Sequence, residues 1–171
     1  MLTMNALPNV PRWAVLAAHA VPLVTLPSGL WRIALVAGLP VAEQPVEGGW
    51  EIAYVVGLSV LSELLALLTL GLVQGWGEVV PRWVPLLGGR GVRPLAAVVP
   101  ALLGAAGLAG IAVYGFHAQA AGLGDGTIGT PAQDLLLLVC YLPLLAWPPL
   151  LVAVTVAYHR RRRQARLARW A

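Results

Sequence analysis

The sequence contains few of the residues that make a protein soluble or that hold a small secreted domain together. Only 11% of its 171 residues are charged, lysine is absent, and Cys140 is the single cysteine. A soluble domain carries about 25% charged residues, so these few charges could not cover the surface of a globule of this size. One cysteine cannot form an internal disulfide. The shortages exclude a soluble globular domain, a disordered chain and a disulfide-stabilised scaffold.

In their place the chain has long runs of apolar residues. Hydrophobic residues make up 59% of the sequence, and the mean hydropathy is +0.80. A bilayer core about 30 Å thick is crossed by a helix of about 20 apolar residues. Four segments meet that length, at residues 13–39, 52–74, 95–116 and 135–158. We therefore predict an all-α integral membrane protein, a four-transmembrane-helix bundle at residues 1–158 followed by a basic cytoplasmic tail at residues 159–171.

The basic and acidic residues are separated along the chain. Ten of the 11 arginines lie before the first segment, between the second and third, or in the tail, and Arg32 is the exception. Five of the seven acidic residues lie in the other two connections. The positive-inside rule assigns the arginine-rich side to the cytoplasm. The pattern predicts a multi-pass protein of the cell (plasma) membrane with both termini in the cytoplasm.

Two ionisable residues fall deep within the predicted spans. Glu63 lies 12 residues into the second segment and His19 six residues into the first, which at 1.5 Å per residue brings them to similar heights in the bilayer. Ionisable groups in the bilayer are costly and mark candidate functional sites. Glu63 and His19 are therefore candidate catalytic or proton-handling residues in contact with each other. The alternative is a structural clamp, in which a neutral glutamate hydrogen-bonds to histidine and no substrate is needed.

Aromatic and basic residues near the ends of the spans are candidates for binding a ligand or a lipid headgroup. Trp31 and Arg32 lie near the outer end of the first segment, and Arg82 and Trp83 lie in the arginine-rich middle connection. Tryptophan and arginine suit the headgroup region. For Arg32 the alternative is an ion pair with Glu51, which begins the second segment at a similar height.

The tail from Arg160 to Arg169 favours attraction to anionic lipids, at roughly 1 kcal/mol per basic residue near the membrane surface. We do not expect it to bind nucleic acid, because no folded cytoplasmic domain is available to read bases. The sequence has no phosphate-binding loop, dinucleotide fingerprint or zinc motif. Its three histidines fall at three different heights, so neither a cofactor nor a metal site is predicted.

Small residues indicate where helices pack, because they let two backbones approach closely in lipid. The third segment has Gly104, Gly107 and Gly110 at every third position, and the second has Gly71 and Gly75 four residues apart. These patterns predict that the third segment is the central, tightly packed helix of the bundle. The alternative is that its glycines form the contact between two copies of the protein.

Two stretches, Leu26-Pro27-Ser28-Gly29-Leu30-Trp31-Arg32 and Trp76-Gly77-Glu78-Val79-Val80-Pro81-Arg82-Trp83, resemble motifs in small multi-span membrane proteins of high-GC actinobacteria. The resemblance covers less than a third of the chain. It implies the membrane class and carries no assigned activity.

Three functions follow from these observations. The first is a non-enzymatic helical bundle that acts as a structural or partner-binding membrane component. The second is a small oligomeric transporter or channel subunit with Glu63 and His19 as its intramembrane polar site. The third is an intramembrane enzyme that acts on a lipid or isoprenoid substrate with Glu63 as the acid. We expect a function without catalysis. The expected partners are the lipid bilayer and either a second copy of the chain or another membrane protein.

Overall fold

The structure is a computed structural model, which describes residues 7, 10–44, 46, 48–79, 89, 91–121 and 129–167. The described chain consists of helices joined by turns and irregular segments, with an isolated bridge between Val79 and Gly91. Its elements are α1 (Arg12–Val36), α2 (Gly49–Gly71), a 3-10 turn (Gly75–Gly77), α3 (Pro94–Ala120), α4 (Pro131–Tyr141), a second 3-10 turn (Leu142–Ala146) and α5 (Trp147–Leu167). The predicted all-α fold class is confirmed.

Four stretches of helix are long and apolar enough to cross a membrane, namely Arg12–Val36, Gly49–Gly71, Pro94–Gly115 and the α4–α5 segment Pro131–Ala165. Their large apolar side chains point outward to an extent that water would not tolerate. On α3, for example, Leu103 is 67% exposed and Ile111 is 71% exposed. This inside-out distribution suits a surface covered by lipid chains, and it agrees with the predicted four membrane helices.

The bundle is organised around α1, which contacts α2, α4, the second 3-10 turn and α5. The face of α1 that meets these neighbours is made of small side chains. Buried residues recur there at steps of three and four, as expected for one helix face, at Ala14, Ala18, Val21, Thr25 and Ser28. Side chains of this size let the backbones of the neighbouring helices come close, so α1 is the central helix.

The prediction that the third segment is central is therefore wrong. α3 lies at the periphery and packs mainly on α5. Its contact face is an alanine stripe rather than the glycine stripe, with Ala105 buried and Ala97 and Ala101 partly buried against the core. On a helix of 3.6 residues per turn, Gly107 lies about 160° around the axis from Ala105. The glycines of α3 thus face away from the helix that packs against it.

The glycines that end α2 form a tight turn and not a helix-packing pair. Gly75 lies beyond α2, in the first 3-10 turn, so Gly71 and Gly75 do not share a helix face as predicted. The chain turns back so sharply that a Cβ on Gly77 would collide with the Gly71 carbonyl, and a Cβ on Gly71 would lie 2.7 Å from the Trp76 ring. Both positions need glycine because the backbone and the indole occupy that space.

The fourth membrane segment is interrupted near its middle. α4 starts with a capping box, in which Thr130 and Gln133 satisfy each other's backbone amides, and it ends at Tyr141. A 3-10 turn containing Pro143 follows, and α5 then begins at the buried Trp147. Pro148 and Pro149 stand in the first turn of α5, where proline has no intrahelical amide bond to break. The interruption places Tyr141 where it meets α1.

Candidate functional site

The side chain of Glu63 extends from α2 toward α1. Its Oε1 atom is buried and has no hydrogen-bond partner. The nearest feature of α1 is Gly29, where an added Cβ would lie 3.5 Å from that oxygen. The absence of a side chain at Gly29 leaves room for the carboxyl group. A buried polar atom without a partner costs free energy, so this oxygen is a candidate ligand-binding or proton-binding atom.

His19 does not contact Glu63, contrary to the prediction. The His19 Nδ1 atom lies 2.8 Å from the carbonyl oxygen of Val15, one turn back on the same helix. Glu63 is opposite Gly29, and ten residues of helix separate His19 from Gly29, or about 15 Å. Because Glu63 lies opposite Gly29, about two turns at the start of α2 extend past the end of α1. The two helices are therefore shifted along their axes relative to the arrangement we expected.

Arg32 is held by α2 and α4, and the predicted ion pair with Glu51 is not formed. Its Nε atom donates to the Tyr141 hydroxyl at 3.1 Å, and one terminal nitrogen donates to Ser62 Oγ at 3.4 Å. The guanidinium also lies over the Tyr141 ring, 5.4 Å from its centroid. Glu51 is exposed, again because α2 begins beyond the end of α1. The two hydrogen bonds and the contact with the Tyr141 ring hold the charge of Arg32 inside the bundle.

Trp31 completes this group of polar side chains. Its ring meets the Tyr141 ring edge to face, with centroids 5.6 Å apart, a favourable aromatic geometry. The indole Nε1 is buried and lacks a hydrogen-bond partner. Trp31 therefore offers a buried hydrogen-bond donor that no described residue uses.

We call Trp31, Arg32, Ser62, Glu63 and Tyr141 the polar cluster. All five side chains are half-buried, and they come from three helices, α1, α2 and α4. The cluster offers a fixed cation, an unpartnered carboxyl oxygen and an unpartnered indole N–H. Chemically it suits the binding of a polar group or the transfer of a proton. The cluster lies near the C-terminal end of α1. Tyr141 was not among the predicted residues, although a tyrosine within a leucine-rich span is a signal that could have identified it.

A second set of interactions joins the opposite end of the bundle. Arg161 binds Glu78 at 2.7 Å and Arg162 binds the other carboxylate oxygen at 3.4 Å. The same arginines reach backbone carbonyls, Arg161 that of Leu72 at 3.4 Å and Arg162 that of Val92 at 2.8 Å. We call these contacts the Glu78 clamp. The start of the predicted tail is therefore helical and fixed to the connection between α2 and α3.

Two of the predicted headgroup residues, Arg82 and Trp83, lie outside the described residues. Among the residues that are described, no group of three His, Cys, Asp or Glu side chains is arranged to hold a metal ion. Cys140 is a free, half-buried thiol on α4. The chemistry available in the described part of the bundle is thus that of the polar cluster and of the arginines near Glu78.

No protein-family model, curated protein or solved structure matches the chain. What the geometry of the chain itself shows is a helical protein with four helices long and apolar enough to cross a membrane.

The Glu78 clamp leads to a first prediction. Replacing Glu78 with Gln removes the charge that two partly buried arginines share, and we expect the free energy of unfolding to fall by about 1–3 kcal/mol. The measurement is thermal or denaturant unfolding in detergent. Glu51→Gln is the control, because Glu51 is exposed and its side chain makes no hydrogen bond or ion pair with other described residues. Equal stability of the two variants would show that the clamp contributes nothing.

Proposed function

We propose that the chain is an integral protein of the plasma membrane that crosses the bilayer four times and keeps both termini in the cytoplasm. It would belong with small multi-span membrane proteins of the kind found in high-GC actinobacteria. The grouping of charges at one end of the bundle supports the orientation, since the Glu78 clamp joins the end of α5 to the connection before α3. At the other end, the Gln133 amide in the first turn of α4 donates to the carbonyl of Pro40 at 3.0 Å, and the two connections at that end carry no arginine.

The orientation predicts which positions a membrane-impermeant thiol reagent reaches in intact cells. In a Cys140→Ala background, Glu43→Cys should be labelled from outside, and Gln164→Cys should be labelled only after lysis. Both positions are exposed, so accessibility reports the side of the membrane. The opposite labelling pattern would overturn the orientation.

Within that membrane protein we propose a non-enzymatic, partner-binding role, in which α3 forms the contact. The observation that carries this proposal is the open glycine face of α3. An added Cβ at Gly104, Gly107 or Gly110 would meet nothing within 4 Å, whereas the alanine face of the same helix is already packed on α5. Glycine in a membrane helix lets another backbone approach, and no helix of the described chain uses this face.

The partner that fits this face is a second copy of the chain. All copies inserted under the positive-inside rule share one orientation, so two α3 helices meet parallel, with their glycines at the same depth. A two-fold axis between them then pairs each glycine stripe with itself, as in other symmetric homodimers. Parallel helices with small residues at the crossing are a known dimer arrangement in membranes.

The dimer predicts a site-specific crosslink. In the Cys140→Ala background, Gly107→Cys should form a disulfide-linked dimer in native membranes under mild oxidation, since the two backbones approach at that position. The measurement is the dimer fraction on a non-reducing gel.

Gly57→Cys is the matched control, because Gly57 on α2 is equally open to its surroundings but has no neighbouring glycine at three-residue steps. We expect little dimer from it. Equal crosslinking at both positions, or none at Gly107, would contradict an α3 interface.

A second candidate function, that of a small oligomeric transporter or channel subunit, is favoured by Glu63. A buried carboxyl oxygen without a partner is hard to explain as a structural clamp, since His19 is bound elsewhere. Four helices are few for a pathway, so the α3 dimer would be part of this function too. In this candidate Glu63 binds and releases a proton, and Arg32 and Tyr141 hold the polar cluster in place.

Proton transfer through Glu63 is tested in liposomes that contain the purified protein and a pH-sensitive dye. We expect proton flux from the unaltered protein and a loss of at least about tenfold for Glu63→Gln, as for removal of an acid–base group. His19→Gln should keep the flux, because His19 lies about three helical turns from Gly29. Flux that survives Glu63→Gln would exclude Glu63 as the proton-carrying group, and no flux from the unaltered protein would exclude proton transport.

A further inference from the structure

A cavity of about 430 Å³ lies where α5 leaves the apolar part of the bundle, beside the start of α3. Its lining residues come from two places in the chain. Arg93, Pro94 and Leu95 belong to the start of α3, and His159, Arg162 and Arg163 belong to the last turns of α5. We call this space the basic cavity. Its volume falls within the range of about 300–1,000 Å³ that is usual for ligand sites.

The charges around the basic cavity are almost all positive. Three arginines line it, and no carboxylate is among its described lining residues. Glu78 contacts one of the lining arginines, since it binds Arg162 from the side of the α2–α3 connection at 3.4 Å. The positive end of the α3 helix dipole also lies here, because α3 begins at Pro94.

Two of the arginines are free to bind a ligand. Arg93 and Arg163 are exposed, and neither side chain makes a hydrogen bond or an ion pair with the rest of the described chain. Arg162 is already positioned, because its guanidinium donates to the Val92 carbonyl at 2.8 Å. One fixed guanidinium and two free ones thus surround the same space.

We infer that the basic cavity binds a phosphate-bearing group with at least two negative charges. Arginine forks match phosphate oxygens in pairs, and two free forks beside the fixed Arg162 exceed what a singly charged phosphodiester needs. The apolar rings and methyl groups of Pro94 and Leu95 border the same space, and α3 continues from there into its membrane-spanning length. A lipid with two phosphates in its headgroup fits this space. Its phosphates match the arginines, and its acyl chains can lie along the apolar surface of α3.

This site differs from a general attraction between the basic tail and anionic lipid. General attraction depends on the number of arginines near the surface, whereas the cavity depends on which arginines are replaced. The inference is also independent of the α3 glycine face, which lies away from α5, and so either proposal can fail while the other stands.

The test uses the full chain, purified in a neutral detergent and titrated with cardiolipin, whose headgroup carries two phosphates. Binding is measured by native mass spectrometry, with inorganic diphosphate added as a competitor in a parallel series. Arg93→Gln and Arg163→Gln should each weaken cardiolipin binding about fivefold. The matched control is Arg160→Gln, which removes an exposed arginine of the same helix that does not line the cavity, and we expect less than a twofold change.

Each outcome decides a specific point. Cardiolipin binding that depends on Arg93 and Arg163 and resists diphosphate identifies a lipid headgroup as the ligand. Binding of diphosphate with the same dependence on both arginines identifies a free phosphate compound instead, and the site stands. Equal losses in all three variants, or no loss at Arg93 and Arg163 when their unfolding temperatures match the unaltered protein, would overturn the inference.

Discussion

Close approach of α1 to its neighbours is the constraint on which the rest of this bundle depends. In lipid, helices gain little from burying apolar surface, so they associate through close packing and hydrogen bonds. α1 provides this by burying small side chains such as Ala14, Ala18 and Ser28 along one face. Thr25 and Ser28 also bind carbonyls of their own helix, at 2.9 and 2.8 Å, so their hydroxyls are satisfied without separating the helices.

The central place of α1 explains where the polar and charged groups lie. At one end, the interruption of the fourth membrane segment brings Tyr141 against Trp31 and Arg32, and Glu63 fits where Gly29 leaves space. At the other end, the turn after α2 directs Glu78 toward the end of α5. Because α2, α4 and α5 occupy the surroundings of α1, α3 is left with α5 as its main neighbour, and its glycines stay open.

The arginines near the end of α5 have two distinct roles in this arrangement. Arg161 and Arg162 are bound to Glu78 and to backbone carbonyls, so they hold the α2–α3 connection against α5. Arg93 and Arg163 are unbound at the edge of the basic cavity. Within the run of arginines on α5, Arg161 and Arg162 thus stabilise the fold. The side chain of Arg163 is left without such a contact, as is that of Arg93 before α3.

Local composition was sufficient to determine the class of the fold. Membrane helices depend on the summed hydropathy of about 20 consecutive residues, and that sum can be read without knowing any contact. The four apolar helices were therefore predictable, as was the interest of Glu63 and Arg32 as charged residues within them. The tertiary structure alone decided which residues meet. The shift between α1 and α2 separates His19 from Glu63 and leaves Glu51 exposed, and rotation of α3 buries Ala105 rather than Gly107. Shift and rotation depend on how whole faces pack together, and small residues on two faces of one helix do not reveal which face is used.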